Sequence, residues 1–221
     1  MGRNPMFKKF LLAAGVIAIA SPTYANIVEA RLGASINNID WTGAGSGGSK
    51  ERAVAINGEI LFGEPEFLKW ALSPQPYLGG ALNLEGKTSY GGGGLLWRQG
   101  ISESFYIDFS FGLVIHDGTL AVEPSDIVQS VIDNPNAIDD FSPEQLAQFQ
   151  SDLDRFKFRQ QTEVDFGSRI LFREQISIGY RWSTDWSAHI FAEHLSHGNI
   201  LASNRPNEGF DSIGLRVSRH F

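Results

Sequence analysis

FYIDFSFGLVIH, Phe105 to His116, alternates strictly along its twelve residues. Phe105, Ile107, Phe109, Phe111, Leu113 and Ile115 share one face, while Tyr106, Asp108, Ser110, Gly112, Val114 and His116 share the other. Successive side chains of a strand point to opposite sides, so this period predicts a β-strand with one greasy face and one largely polar or small.

The same period recurs on both sides of that stretch. In AVAINGEILF, residues 53–62, Val54, Ile56, Ile60 and Phe62 oppose Asn57, Glu59 and Leu61. In SRILFREQISIGYRW, residues 168–182, Ile170, Phe172, Ile176, Ile178, Tyr180 and Trp182 oppose Arg169, Arg173, Gln175, Ser177, Gly179 and Arg181. A soluble sandwich would alternate as well. A membrane barrel is favoured by segments near eleven residues long, aromatic residues close to their ends (Trp97, Tyr180, Trp182, Trp186), 24 glycines, and a last segment that stops on Phe221. Membrane barrels show alternating segments of about 10 residues, aromatic girdles and a polar interior. A terminal aromatic also resembles the assembly signal of bacterial outer-membrane proteins.

Eight such segments are counted, at 27–37, 52–63, 76–86, 89–99, 104–116, 166–182, 185–196 and 210–221. The expected fold is all-β: an eight-stranded antiparallel transmembrane β-barrel of the outer-membrane type, with a long insertion after the fifth strand. An even count puts both termini on the periplasmic side and sends the connections after strands 1, 3, 5 and 7 outward. Eight strands leave an interior that side chains fill. Glu59, Asp108, Arg169, Arg173, Arg181 and Glu193 are expected there as a charge network that supports the wall.

The start of the chain reads as a separate unit. Arg3, Lys8 and Lys9 precede the apolar run Phe10–Ala20, and Thr23-Tyr24-Ala25 has the small-residue pattern of a cleavage site, so residues 1–25 are expected to be a secretory signal peptide and 26–221 the barrel. The apolar run is shorter than the roughly 20 residues that a membrane helix needs. Of 18 basic and 25 acidic residues, the leader holds three basic and no acidic ones, so the remainder keeps 15 against 25, a net charge of −10. Such a balance disfavours nucleic acid as a partner. Cysteine is absent, which removes disulfides, thiolate nucleophiles and zinc–thiolate sites.

Two connections stand out. NNIDWTGAGSGGSKE, residues 37–51, is rich in glycine and serine, as an exposed loop would be. Residues 117–163 carry ten acidic and three basic residues. Within them SPEQLAQFQSDLDRF, residues 142–156, predicts one short amphipathic helix. Ser142 is its N-cap, Pro143 its first residue, Gln145 the partner in a capping box, and Leu146, Phe149, Leu153 and Phe156 recur at helical spacing. The insertion is either a lid beside a substrate or a cap packed over the barrel mouth. Its acidity favours the cap, because interfacial helices are usually basic.

EHLSHGNILASNRPNEGF, residues 193–210, holds the candidate chemistry. Trp186, Ala188, Ile190 and Ala192 form the outward set of the seventh strand, and continuing it sends His194 and Ser196 toward lipid at the outer end. Polar side chains there are costly unless they lie at the interface or have a role. Residues two apart on a strand are about 6.5–7 Å apart at Cα, within reach of an imidazole for a hydroxyl. Serine needs such a base, and the base needs a third group to fix its tautomer. Glu208, in the loop that follows, is the better third member and Asp211 the weaker. Backbone N–H groups around Gly198 and the Asn204 amide could hold an oxyanion.

These residues resemble the lipid A 3-O-deacylase (PagL) family, eight-stranded outer-membrane barrels that hydrolyse the ester-linked acyl chain at position 3 of lipid A. The resemblance rests on EHLSHGNILASNRPNEGFDSIGLRVSRHF, on GSRILFREQISIGYRW before it, and on the eight-strand plan. It implies His194 as catalytic base, Ser196 as nucleophile, Glu208 as the third member and Asn204 at the oxyanion, with no cofactor and no metal. It also implies lipid A or lipopolysaccharide as substrate and the bacterial outer membrane as location, and leaves a homodimer open. The sequence departs from the pattern at His197, where better-known members have asparagine, and in the length of the 117–163 insertion. Two other functions fit the same residues: an outer-membrane phospholipase or esterase, and a non-catalytic small barrel.

Overall fold

All eight alternating segments are strands. The computed structural model describes residues 26–39 and 50–221. The expected signal peptide and most of the glycine-rich loop at 40–49 lie outside the described residues. The strands are β1 Ile27–Asn37, β2 Ala53–Phe62, β3 Gln75–Asn83, β4 Tyr90–Gly100, β5 Phe105–His116, β6 Ile170–Arg181, β7 Trp186–Ser196 and β8 Phe210–His220. Each pairs antiparallel with the next, and β1 pairs with β8, from Glu29 opposite His220 to Asn37 opposite Ser212, so the sheet closes on itself. Hydrocarbon offers backbone groups no hydrogen bonds, and closure leaves no strand edge unpaired.

Parity then sorts the side chains. Phe109, Phe111, Leu113, Ile176, Ile178 and Leu215 lie exposed on the outer surface, part of an apolar band that water would not tolerate and lipid covers. Inside, the residues are buried and arranged in layers. At the outer end Ala55, Ala81, Tyr90, Val114, Leu171, Leu195 and Phe210 form an apolar plug together with Val164 and Phe166, which enter from the insertion. At the other end Leu61, Tyr77 and Leu96 pack together. Large rings are admitted where the facing residue is glycine. A Cβ at Gly179 would sit 2.3 Å from the Tyr106 ring, and one at Gly214 would sit 2.5 Å from Phe191.

Between these layers lie the carboxylates of Glu29, Glu59, Asp108 and Glu193 and the guanidinium groups of Arg31, Arg98, Arg173 and Arg216. Glu59 is the hub: its Oε1 accepts from Arg173 at 2.6 Å, and its Oε2 accepts from Arg216 at 2.7 Å and from Arg31 at 3.3 Å. Arg31 also donates to Glu29 and Asp108, at 2.6 Å each, and Arg173 to Glu193 at 2.5 Å. Burying charge is tolerable only when it is paired and hydrogen-bonded, and this belt meets that condition with residues from seven strands.

Two expected members of the network lie elsewhere. Arg169 precedes β6 and donates to the carbonyls of His116 and Gly118, at 3.0 Å each, which fastens the insertion to the barrel rim. Arg181 lies at the opposite end, its guanidinium carbon 5.5 Å from the centre of the Tyr106 ring. Parity gives the side of the wall but not the height along it.

The insertion holds two α-helices rather than one: α1 Asp126–Asp133 and α2 Pro143–Thr162, with a 3-10 turn at Pro135–Asp140 between them. The capping box at the start of α2 is present: the Gln145 N–H donates to Ser142 Oγ at 3.3 Å, and the Ser142 N–H to Gln145 Oε1 at 2.8 Å. α2 runs past the expected end because KFRQQT, residues 157–162, continues without a glycine or proline, and Arg159 bonds Glu163 at 3.0 Å across the last turn. At the barrel mouth the insertion contributes Val164 and Phe166, which join the apolar plug, while α1 packs on α2 and on the 3-10 turn. The Phe166 ring lies 4.3 Å from that of His116 and 5.5 Å from that of Phe210.

Removing the hub tests the belt. Glu59→Ala would leave the buried guanidinium groups of Arg173, Arg216 and Arg31 short of a shared partner, and is expected to destabilise the folded barrel by about 3–5 kcal/mol. Urea unfolding in lipid vesicles, with an unchanged midpoint as the contrary result, measures this.

Candidate active site

The register of β6, β7 and β8 assembles the site. His194 on β7 lies opposite Glu174 on β6 and Asp211 on β8, and Ser196 lies opposite Phe172. All of these residues project to the lipid-facing side at the outer end, as the alternation of β7 predicts, while Phe191, Glu193 and Leu195 are buried inside. The His194 side chain is 43% exposed, whereas that of Asp211 is 7% exposed. The imidazole is thus open on one side and backed by a buried carboxylate on the other.

That carboxylate fixes the ring. His194 Nδ1–H donates to Asp211 Oδ1 at 2.6 Å, since an ionised carboxylate can only accept. Nε2 is then the lone-pair nitrogen, on the side away from Asp211, in the tautomer a general base for a serine requires. Among the described residues Ser196 makes no side-chain hydrogen bond. Glu208 is not brought to His194: its Oε1 accepts from Lys50 Nζ at 2.5 Å and its Oε2 from the Asp165 N–H at 3.0 Å. No hydrogen bond among the described residues ties Asn204 to Ser196 or His194; Asn204 is exposed, with φ of +60°.

The loop from His197 to Gly209 is held from inside. His197 is fully buried, donates through Nε2 to the Pro206 carbonyl at 2.9 Å and accepts the Asn199 N–H on Nδ1 at 3.1 Å, so both ring nitrogens are used. Its own N–H donates to Asn207 Oδ1 at 3.2 Å. The residue that departs from the family pattern is therefore a loop pin on the face opposite Ser196. Gly198 follows at φ +58° and opens the turn in which Ile200 and Leu201 donate to the His197 carbonyl. Gly209 has φ +71°, and a Cβ there would come within 3.1 Å of His194 Cε1, so glycine lets the chain pass the imidazole.

A groove runs down the wall from this site. Ala188 and Ala192 are small residues on the outer face of β7. Ile176 and Ile213 flank Ala192, Ile178 and Leu215 flank the intervening Ile190, and Tyr180 and Val217 flank Ala188. The lower part of this channel, between Phe105, Ile178, Ala188, Ile190 and Leu215, is an almost wholly apolar depression. Glu174 is the residue that sequence reasoning missed here. Its parity on β6 places a carboxylate among Ile170, Phe172 and Ile176, and it is exposed opposite His194.

Behind the loop, Asp165 and Glu208 face each other. Asp165 Oδ1 accepts the Val122 N–H at 2.8 Å, and the Glu208 N–H donates to the Asp165 carbonyl at 3.2 Å. Burial first, and then the Glu208 carboxylate, hold the Asp165 carboxyl above its ordinary range, with Lys50 opposing. A carboxyl raised in the folded state contributes stability at low pH that is lost as pH rises through its folded pKa. Asp165→Asn keeps the acceptor for Val122 and removes the charge. It should slow protease cleavage of the 117–169 segment at neutral pH, with a gain that shrinks toward zero as the pH falls below the carboxylate range; a gain that persists in acid would contradict this electrostatic cause.

The family model described as lipid A 3-O-deacylase (PagL) matches residues 152–220. No curated protein sequence matches the chain. Among solved structures, the outer membrane enzyme PagL is similar at 13% identity over 86% of this chain and 97% of that one, with a TM-score of 0.45. The N-terminal β-barrel domain of Pseudomonas aeruginosa OprF is similar at 8% identity over 89% and 99%, with a TM-score of 0.44. Neisserial surface protein A (NspA) is similar at 8% identity over 88% and 96%, with a TM-score of 0.43. The family match spans β6, β7 and β8, and so His194, Ser196, Glu208 and Asp211 together; in that segment the chain is similar to the lipid A 3-O-deacylase (PagL) family.

Proposed function

We propose that this protein sits in the bacterial outer membrane and hydrolyses the ester that joins a 3-hydroxyacyl chain to position 3 of lipid A, with Ser196 as nucleophile and His194 as base. One observation supports the reading: His194, with Nδ1 bonded to Asp211, and Ser196 lie two residues apart on the outward side of β7, within the segment similar to the deacylase family. A soluble substrate would gain nothing from that placement. A lipid in the outer leaflet reaches it without leaving the bilayer, its acyl chain in the Ala188–Ala192 groove.

In the first step Ser196 Oγ attacks the ester carbonyl and its proton passes to His194 Nε2. The tetrahedral oxyanion is met by the Gly198 N–H and by the Asn204 amide. Collapse breaks the bond to the sugar oxygen, which leaves with the proton from Nε2. Water then attacks the acyl-enzyme with His194 again as base, and the free 3-hydroxy acid departs. The imidazolium formed in each step is held by a carboxylate from the 208–211 stretch. No metal or cofactor enters these steps, and one chain suffices. A homodimer draws no support from the comparisons.

Ser196→Ala is expected to lower deacylation by about 10³-fold or more with folding intact. Mass spectrometry of lipid A from cells expressing either form reads this, and identical spectra would reject the assignment. Purified phospholipid offered beside lipid A separates the broader lipid-esterase reading. The groove gives a second test: Ala192→Phe fills it beside His194 and should lower kcat/KM for long-chain esters about tenfold more than for a short-chain ester. An equal effect on both chain lengths would remove the groove from substrate binding.

A further inference from the structure

The connection between β2 and β3 is out of proportion to the others at its end of the barrel, the end where β1 starts and β8 finishes, opposite the candidate site. There β4 joins β5 through residues 101–104 and β6 joins β7 through 182–185, whereas β2 joins β3 through 63–74 and folds a 3-10 helix, Glu66–Ala71, on the way. Pro65 precedes it, and the Leu72 and Ser73 N–H groups both donate to the Leu68 carbonyl to close it. None of its residues is buried. Phe67, Trp70 and Leu72 are instead 74%, 84% and 84% exposed. Phe67 and Trp70 are three apart, so they stand on one edge of a 3-10 helix. Leu72 has φ of +66°, a conformation that costs a residue with a bulky side chain and that asparagine or glycine takes more readily. Folding alone gives no reason for leucine there. The helix is also tied to the lipid-facing wall. Trp97 is on the outward side of β4, its ring 6.1 Å from that of Phe109, and its indole N–H donates to the Ala71 carbonyl at 2.8 Å. The three exposed side chains thereby continue the apolar band, at the end of the barrel that also exposes Phe105, Tyr180, Trp182 and Trp186. Beside them the exposed Lys69 and Glu66 pair at 2.6 Å.

We infer that the β2–β3 connection is an anchor in the inner leaflet: Phe67, Trp70 and Leu72 enter zwitterionic phospholipid just below its headgroups, where Lys69 meets the phosphate and Glu66 the ammonium. Aromatic residues, tryptophan above all, settle at that level of a bilayer, and the pair of opposite charges matches a headgroup that carries both. Continuity with the band through Trp97 favours lipid over a protein as the occupant. The anchor has an effect at the far end. A barrel held only by the match between its apolar band and the bilayer rides up or down at modest cost. A closed sheet is stiff, so fixing one end fixes the level of the other, where His194 and Ser196 stand. That effect rests on the hydrolase reading above, since an ester in the outer leaflet is met only by a site at its own depth.

The chain has no cysteine, so Trp70→Cys in the full-length protein accepts a single nitroxide label. In nanodiscs of phosphatidylethanolamine and phosphatidylcholine, whose two faces are both open to reagents, electron paramagnetic resonance should find this label accessible to oxygen and shielded from a water-soluble nickel chelate. It should match a label at Ile178→Cys on the lipid-facing band and differ from one at Glu103→Cys in the β4–β5 turn. A label at 70 as open to the chelate as the one at 103 stands in water; it would overturn the anchor and leave the patch to a periplasmic protein. With lipopolysaccharide in the nanodiscs, the triple variant Phe67→Ser, Trp70→Ser, Leu72→Asn should lower deacylation about fivefold, yet leave it unchanged in detergent micelles, which impose no fixed depth. Leu72→Asn alone eases the backbone and should still lower deacylation in the nanodiscs. Folding of each variant is checked by the change in electrophoretic mobility that a folded barrel shows on heating. An equal loss in micelles and nanodiscs would mark a packing defect and overturn the inference, as would full activity of the triple variant in nanodiscs. The label is read without turnover, so the two readings fail separately: if Ser196→Ala is as active as the wild type, the hydrolase reading falls while a shielded label upholds the anchor.

Discussion

Everything in this molecule depends on the pairing of β1 with β8. Hydrocarbon cannot satisfy a backbone N–H or C=O, so a sheet in a membrane must return to its own first strand. Once it does, each residue has a determined side, and a chain of only eight strands has an interior too narrow for anything but its own side chains. The charged belt follows from that narrowness. Glu59 and its three arginines cannot reach water, so they satisfy one another, and the pairs with Arg173 and Arg216 join strands that are not neighbours in the sheet. The apolar plug above the belt follows as well, and it takes Val164 and Phe166 from a segment that is not part of the wall.

The same closure bears on why His194 and Ser196 lie on the outside. Among the described residues the interior is filled by side chains, and the outer flank is where His194 meets the surface. Asp211 is then informative. It has the parity of an outward residue yet is buried, because His194 lies across it and the loop behind passes close enough to require glycine at 209. A buried carboxylate on the lipid side of a strand would be a liability without the imidazole, and the two residues justify each other's position.

Much of this could be read from alternation alone. Phe105–His116 shows its two faces without help, and the side of His194 and Ser196 follows from Trp186, Ala188 and Ile190 before them. Where alternation is weak the sequence is silent. Glu29 and Arg31 share only one small neighbour, Ala30, between Val28 and Leu32, and the glycine run Gly91–Gly94 before Arg98 has no faces to compare; these residues and Arg216, half of the charged belt, were not expected there. α1 was missed because Ile127, Val128, Val131 and Ile132 are β-branched and carry little helical preference; Val128 is buried all the same, and packing against α2 sets its form. The partner of His194 was hardest of all. Spacing along the chain favours Glu208, but the contact is set by strand register, and Glu208 is drawn away by Lys50, a residue 158 positions earlier. Sequence distance carries no trace of that competition.

The flank position of Ser196 changes what concentration means for this protein. A pocket open to water samples molecules per unit volume, whereas a residue on the wall of a barrel samples its neighbours in a leaflet. Encounters there arise from lateral diffusion in two dimensions, and their frequency is set by the mole fraction of a lipid and by how closely that leaflet is packed. A molecule built in this way responds to the composition and order of the sheet around it, and the bulk phase matters only through what it does to that sheet.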